Sequence, residues 1–262
     1  MNGRLDRATV FVDADNTLWD TDAVFAESQL ALLEAVEAGV GRRTAAADRL
    51  AFLRAIDQAL AERHHARLRY PPRLLVRATE LALGGIDGDS AARAAWRGGQ
   101  TYRLSDDQAG DIERRFFENL AHAPEIRPGV LIGLSALEQA GCLLLIVTEG
   151  AKAKVERNAE RVGVAQFFER IIEGPKAPEL YRRVLSFTGA PARAFMVGDQ
   201  LDRDITPAKT AGLRTIFFPG GFQPRWTPAV EQVRPDYTIA SFDEVPDIVL
   251  GQHRATAAGS KA

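Results

Sequence analysis

The chain has 262 residues, 46% of them hydrophobic and 26% charged, a composition that excludes a disordered, collagenous or coiled-coil protein. That length calls for one domain with a large insertion, or for two domains. The 33 Lys and Arg residues against 35 Asp and Glu leave a net charge of −2, which gives no electrostatic basis for binding nucleic acid.

In chain order, Thr9-Val-Phe-Val-Asp13 is a short β-branched and aromatic run that reads as a buried strand ending in acid. From about residue 21 to 123 the texture is helical, with Ala, Leu, Arg and Glu at helical spacing. Helices are predicted near 22–38, 44–66, 72–84, 87–96 and 105–121, with breaks at Gly39-Val-Gly41, Tyr70-Pro-Pro72, Gly84-Gly85 and Gly98-Gly99. After Pro128-Gly129 strands and helices alternate. Strands are predicted at Cys142–Val147, Arg170–Glu173, Ala194–Val197, Thr215–Phe218 and, more weakly, Asp236–Ile239, and helices near 130–140, 151–163, 177–188 and 204–211. Such alternation means βαβ crossovers and a parallel sheet. The fold class expected is α/β, a Rossmann-like three-layer parallel-sheet core with an inserted all-helical subdomain.

The single cysteine, Cys142, lies in an apolar run and reads as a small buried hydrophobe. No segment approaches the ~18 apolar residues that cross a bilayer, and the N-terminus lacks a signal-peptide core. The expectation is a cytoplasmic protein without a membrane partner. The four histidines have no zinc-ligand spacing. Of the 33 basic residues only five are lysines, at positions 152, 154, 176, 209 and 261, so the candidates for an ammonium beside an anion are few.

Open parallel sheets bind ligands beyond the carboxyl ends of their strands. Those ends here carry Asp13-Ala-Asp15-Asn-Thr17, Thr148-Glu-Gly150, and Gly198-Asp199-Gln-Leu-Asp202-Arg-Asp204, and Lys176 follows the strand at 170–173. Asp13 and Asp15, two residues apart, lean to one side and can share a site. Grouped carboxylates raise one another's pKa unless a cation joins them, and Mg²⁺ takes oxygen ligands. A carboxylate can serve as nucleophile and a second one as acid, then base. Thr148 and Lys176 add a hydrogen bond and a positive charge for phosphoryl oxygens. This is the equipment of two-step phosphoryl transfer.

Taken together, these four segments resemble, in order and spacing, motifs one to four of the haloacid dehalogenase-like (HAD) hydrolase superfamily, and the helical block looks like the family's C1 cap, a resemblance to its phosphatase branch. The resemblance implies residues 1–20 and 125–252 as the Rossmannoid core, 21–124 as the cap, and 253–262 as a disordered tail. It implies Asp13 as nucleophile and Asp15 as general acid/base. It implies Mg²⁺ held by the Asp13 carboxylate, the Asp15 main-chain carbonyl and the Asp199 carboxylate. Asp204 is expected behind them orienting Lys176, with Asp202 as the rival acid of that loop, and Thr17 stabilising the turn after the first strand.

Two departures from the family pattern stand out. The family often has Lys directly before Pro, whereas the order here is Pro175-Lys176-Ala177-Pro178, which leaves Lys152 and Lys154 as stand-ins for Lys176. Glu149 occupies a position where many members carry Asn, and a carboxylate there must point away or pair with a cation. Substrate contacts are expected from Glu149, Gly150, Trp19 and the basic cluster Arg63–Arg73, which contains Arg69, Tyr70 and Arg73. Trp19 also reads as a packing residue, and the cluster as a solvated helix end. Phe222-Gln-Pro-Arg-Trp226 receives no chemistry.

The expected activity is a Mg²⁺-dependent phosphomonoester hydrolase acting on a small phosphorylated metabolite through an aspartyl-phosphate. The alternatives are a 2-haloacid dehalogenase-type hydrolase, a phosphomutase on the same fold, and a non-catalytic HAD-like binding protein. Substrate identity and oligomeric state are not legible.

Overall fold

A computed structural model describes residues 7–64, 70–188 and 193–251. By internal packing the chain forms two compact units, one made of the residues up to Asp22 together with those from Ala123 onward, the other of Ala23–His122.

In the first unit, six strands among the described residues form one parallel sheet. In chain order the strands of this unit are β1 (Thr9–Val12), β2 (Trp19–Asp20), β3 (Glu125–Ile126), β4 (Leu143–Thr148), β5 (Arg170–Glu173), β6 (Ala194–Gly198), β7 (Arg214–Phe217) and β8 (Tyr237–Thr238). The order across the sheet is β5-β4-β1-β6-β7-β8, so β1 is central, with Thr9 in register with Leu143 on one side and Ala194 on the other. The helices of both units are α1 (Thr21–Val40), α2 (Arg49–Ala61), α3 (Pro72–Leu83), α4 (Gly88–Arg97), α5 (Asp106–Asn119), α6 (Val130–Gln139), α7 (Lys152–Arg161), α8 (Pro178–Phe187), α9 (Thr206–Thr210), α10 (Val230–Val233) and α11 (Val245–Leu250).

Strand periodicity explains the three layers. Val10 and Val12 of β1 point to one face, where Leu144, Ile146, Phe195 and Val197 join them under Val130 and Leu134 of α6, Val155 of α7 and Ile248 of α11. Phe11 points to the other face with Leu145, Val147 and Met196, beneath Tyr181 of α8 and Ala208 of α9. A strand covered on both faces must be apolar throughout, which is why β1 and β4 read as continuous hydrophobic runs. Cys142 is buried beside this core, and burial pushes its thiol pKa up. No helix among the described residues is long and apolar enough to cross a membrane.

The second unit packs its helices around Leu33, Val36, Leu53, Ile56, Leu60, Leu75 and Val76. Asp48, Asp87 and Ser105 cap α2, α4 and α5 through their side-chain oxygens. The Asp48 cap is why α2 starts at Arg49 and not near 44 as the spacing predicts. The main-chain N–H groups of Thr44 and Ala46 are satisfied instead by Glu37 and by the Thr44 hydroxyl.

Four further elements escape the periodicity. β2 and β3 pair antiparallel as a two-residue ribbon, too short to show alternation, and α10 and α11 are short helices, one before and one after β8. The predicted helix near 204–211 is a π-turn over Leu201–Ile205 that runs into α9, with Pro207 in its first turn.

Candidate active site

The carboxyl ends of β1, β4 and β6, and the loop after β5, bring the sequence-predicted residues together. Asp13 directly follows β1 and is buried. The Lys176 ammonium donates to Asp13 Oδ1 and, at 2.5 Å, to Asp204 Oδ1, and its side chain is only 6% exposed. The Pro-Lys order is therefore no obstacle. Lys152 instead points outward to Glu156 and Lys154 is exposed, so neither replaces Lys176. The Thr17 hydroxyl donates to Asp13 Oδ2 at 3.2 Å, a contact to the carboxylate itself in addition to any role in the turn.

Asp204 can lie against β6 because the residue beside it is Gly198. A methyl group on Gly198 would stand 2.4 Å from the Asp204 side-chain carbons. The second oxygen of Asp204 accepts from the Gln200 N–H at 2.9 Å. Asp202 is not part of this grouping. Burial raises its pKa, and no contact joins it to Lys176 among the described hydrogen bonds.

One carboxylate oxygen from each of Asp13, Asp199 and Asp204 lies within 4.8 Å of the others. Asp199 Oδ2 is buried without a hydrogen-bond partner. An orphaned buried oxygen among three carboxylates is an oxygen-rich donor set that fits a hard divalent cation such as Mg²⁺. The carboxylate cluster differs from the expected ligand set by containing Asp204. Both Asp204 oxygens are engaged, by Lys176 and Gln200, and both Asp13 oxygens, by Lys176 and Thr17, whereas Asp199 Oδ2 has no partner.

The electrostatics follow from this crowding. Burial pushes the Asp13 carboxyl up to about 7, against the pull of Lys176 and with a further push from Asp204. Asp199 is held well above the usual carboxylate range by burial and by Asp13 and Asp204. Burial opposes the Lys176 charge, but Asp13 and Asp204 outweigh it and hold the ammonium well above its ordinary value.

Asp15 is half-buried on the same turn. Its Oδ1 accepts from the indole N–H of Trp19 at 2.9 Å. Trp19 is completely buried in the core beneath β1, so it offers no face to a substrate, and its contact is with Asp15. Asn16 takes φ +59°, which Asn tolerates in a tight turn, and its side chain accepts from the Thr21 hydroxyl and the Asp22 N–H at the start of α1.

At the end of β4 the Thr148 hydroxyl accepts from the Gly150 N–H at 2.9 Å. A methyl on Gly150 would stand 3.2 Å from that hydroxyl and 3.6 Å from Asp15 Oδ2, so Thr148, Gly150 and Asp15 share one space. Glu149 accepts from Arg203 and from the Lys176 N–H at 3.2 Å. It is a cross-tie between three loops, and the Arg203 partner resolves the cost of an acid beside an anion site.

Among the described residues of the basic cluster, Arg63, Tyr70 and Arg73 have partners within the helical unit, although Arg63 is exposed. Arg63 donates to the Ala59 carbonyl, Arg73 pairs with Glu113 at 3.0 Å, and Tyr70 donates its hydroxyl to Asp57. Arg69 lies outside the described residues. Two residues at the sheet end carry no motif signal. Arg127 donates to main-chain carbonyls of Asn16, Phe218 and Pro219, and Gln223 donates to that of Asp199. Arg127 sits just before Pro128-Gly129, a sequence that reads only as a turn.

Known proteins agree with this architecture. Residues 8–212 match the model of the haloacid dehalogenase-like hydrolase family. A phosphoglycolate phosphatase of Pasteurella multocida is 28% identical over 177 residues, 63% of this chain and 78% of that one. A glyceraldehyde 3-phosphate phosphatase of Pyrococcus furiosus is 34% identical over 101 residues, 36% of this chain and 42% of that one. The crystal structure of a HAD-like family hydrolase from Xanthomonas campestris superposes with a TM-score of 0.61 at 21% identity, over 94% of this chain and 96% of that one, a likeness of fold. With the family model spanning most of the chain and the four strand ends carrying its acids, threonine and lysine, the protein belongs to the haloacid dehalogenase-like hydrolases.

Proposed function

We propose that the protein is a Mg²⁺-dependent phosphomonoester hydrolase of the cytoplasm that acts on a small phosphorylated metabolite through an aspartyl-phosphate. The observation that carries this reading is the grouping of Asp13, Lys176, Asp204 and the orphaned Asp199 oxygen beside a separately held Asp15. The two relatives described above act on short phosphorylated compounds, which supports the same substrate class here.

An Asp13 oxygen attacks phosphorus while the bond from phosphorus to the ester oxygen breaks. Asp15 gives its proton to the departing oxygen, so that the alcohol leaves neutral. Asp15, now ionised, takes a proton from water, whose oxygen attacks the aspartyl-phosphate. Phosphate leaves and Asp13 is restored. Thr148, whose hydroxyl oxygen accepts the Gly150 N–H and so keeps its own proton to donate, and Lys176 hold the phosphoryl oxygens as charge spreads over them. Asp13, Asp199 and the Asp15 carbonyl would hold Mg²⁺, which when bound would supply positive charge against the phosphoryl group and relieve the repulsion among the acids. Asp204 keeps Lys176 aimed at Asp13. In this reading residues 21–124 act as the cap that selects the substrate.

Phosphate release over a panel of phosphorylated metabolites with Mg²⁺ tests the proposal. Asp13→Asn is expected to abolish turnover, Asp15→Ala to slow it severely, and chelation to silence the parent. Full activity of Asp13→Asn, or chloride release from a haloacid in the presence of chelator, overturns it.

A further inference from the structure

The loop after β7 has no part in the reaction just described, yet it touches the acid cluster twice. A methyl group on Gly220 would stand 2.7 Å from Asp199 Oδ2 and 3.3 Å from Asn16 Cβ. Gln223 Nε2 donates to the Asp199 main-chain carbonyl at 3.1 Å, and its Oε1 is buried without a partner.

Arg127 fastens this loop. Its Nη2 donates to the Pro219 carbonyl at 2.7 Å, and its Nη1 donates to the Asn16 carbonyl and, at 3.4 Å, to that of Phe218. The guanidinium lies over the Phe218 ring, 3.6 Å from its centroid, and the Arg127 N–H donates to Leu18 O at 3.0 Å. One side chain thus ties the turn that follows Asp13 and Asp15 to the loop that lies on Asp199. A planar fork with several donors can bridge these carbonyls and stack on a ring at once, whereas an ammonium cannot.

We propose that Arg127 is a positioning residue for the divalent-cation site, fixing the turn after β1 and the 218–223 loop so that Asp13 and Asp199 are held at binding distance. The inference rests on the Mg²⁺-dependent reading above. Residues one step behind metal ligands commonly change metal affinity about 10- to 100-fold when removed.

The test is calorimetric titration of Mg²⁺ into the metal-free full-length chain, for the parent, Arg127→Met, Arg127→Lys, Gly220→Ala and Asp199→Asn. Thermal unfolding without metal is run alongside to separate folding from binding. Arg127→Met and Arg127→Lys are both expected to weaken binding at least about 10-fold, and Asp199→Asn to lose it. Gly220→Ala, with Arg127 intact and a backbone any residue adopts, is expected to weaken it likewise, and it carries the test if Arg127→Met does not fold. Arg127→Met within about twofold of a parent whose Asp199→Asn variant has lost binding overturns this inference and leaves the proposed function standing. Parental affinity in Arg127→Lys reduces the residue to a bare charge and also overturns it, as does parental affinity in Gly220→Ala. A parent that binds no Mg²⁺ overturns both readings.

Discussion

Trp19 and Asp15 face each other across a single β-bridge, and the buried indole N–H donates to the Asp15 carboxylate at 2.9 Å. The acid is thereby held by a side chain that is itself immobilised in the core. Trp19→Phe keeps most of the buried ring and removes the donor. Hydrogen bonds to charged groups contribute about 1.5–3 kcal/mol, so turnover is expected to fall about 10-fold or more while Mg²⁺ affinity stays put. Steady-state kinetics with a metal titration on the same variant check this. An unchanged kcat would show that Asp15 is oriented by something else.

Lys176 stands between two carboxylates that are 7% and 1% exposed. Lys176→Met leaves both acids buried without their ammonium, and breaking a buried ion pair from one side costs about 3–5 kcal/mol. Urea unfolding of the metal-free protein is expected to show a loss of that order together with loss of turnover. Lys176→Arg is not expected to rescue turnover, because a planar fork does not fit where a compact charge bridges two oxygens.

Gly198 is the point where β6 makes room for Asp204. Alanine there puts a methyl 2.5 Å from Asp204 Oδ2, so the acid must leave Lys176 or the strand end must shift. Overpacking of this kind costs about 1–3 kcal/mol. The expected result is a modest drop in melting temperature with a disproportionate fall in kcat. A variant with parental kcat would mean that Asp204 is dispensable for aiming the lysine.

The helical unit supplies a pH prediction. Asp57 is buried, which raises its pKa, although the Tyr70 hydroxyl and Arg54 partly offset the rise. The folded state therefore holds this proton more tightly than the unfolded chain. Stability from this group is fully present below the ordinary carboxylate pKa and is lost as pH rises through the elevated folded value. Asp57→Asn keeps an acceptor for Tyr70 and does not titrate. Its melting temperature relative to the parent is expected to improve steadily from acidic to neutral pH. A difference that stays flat with pH would assign the dependence to other groups.

Much of this was legible because acids at the ends of apolar runs are hard to explain otherwise. Val10, Phe11 and Val12 announce a buried strand, and Asp13 and Asp15 break the pattern at its end. The scarcity of lysine left few candidates, and the structure leaves Lys176 at Asp13. What could not be read depends on carbonyls and on distance. Arg127 acts on main-chain oxygens from segments about a hundred residues away in either direction, and a carbonyl has no signature in a sequence. Arg203 and Glu149 meet only because β4 and β6 flank β1. Arg63 and Arg73 looked like a basic surface, and their partners, Ala59 and Glu113, came into view only once the helices were packed.

The central place of β1 also constrains how the chain is assembled. Thr9–Val12 is made before its two neighbours, which begin at Leu143 and Ala194, with the whole of Ala23–His122 lying between in the chain. During synthesis from the N-terminus an apolar strand must wait with both edges unpaired while a self-contained helical body forms behind it. Unpaired apolar edges invite association with other chains, and pairings so distant in sequence form slowly. The most vulnerable period for this protein is therefore the interval between completion of its helices and emergence of β4 and β6, when a holdase or slow growth at low temperature should most improve the yield of soluble chain.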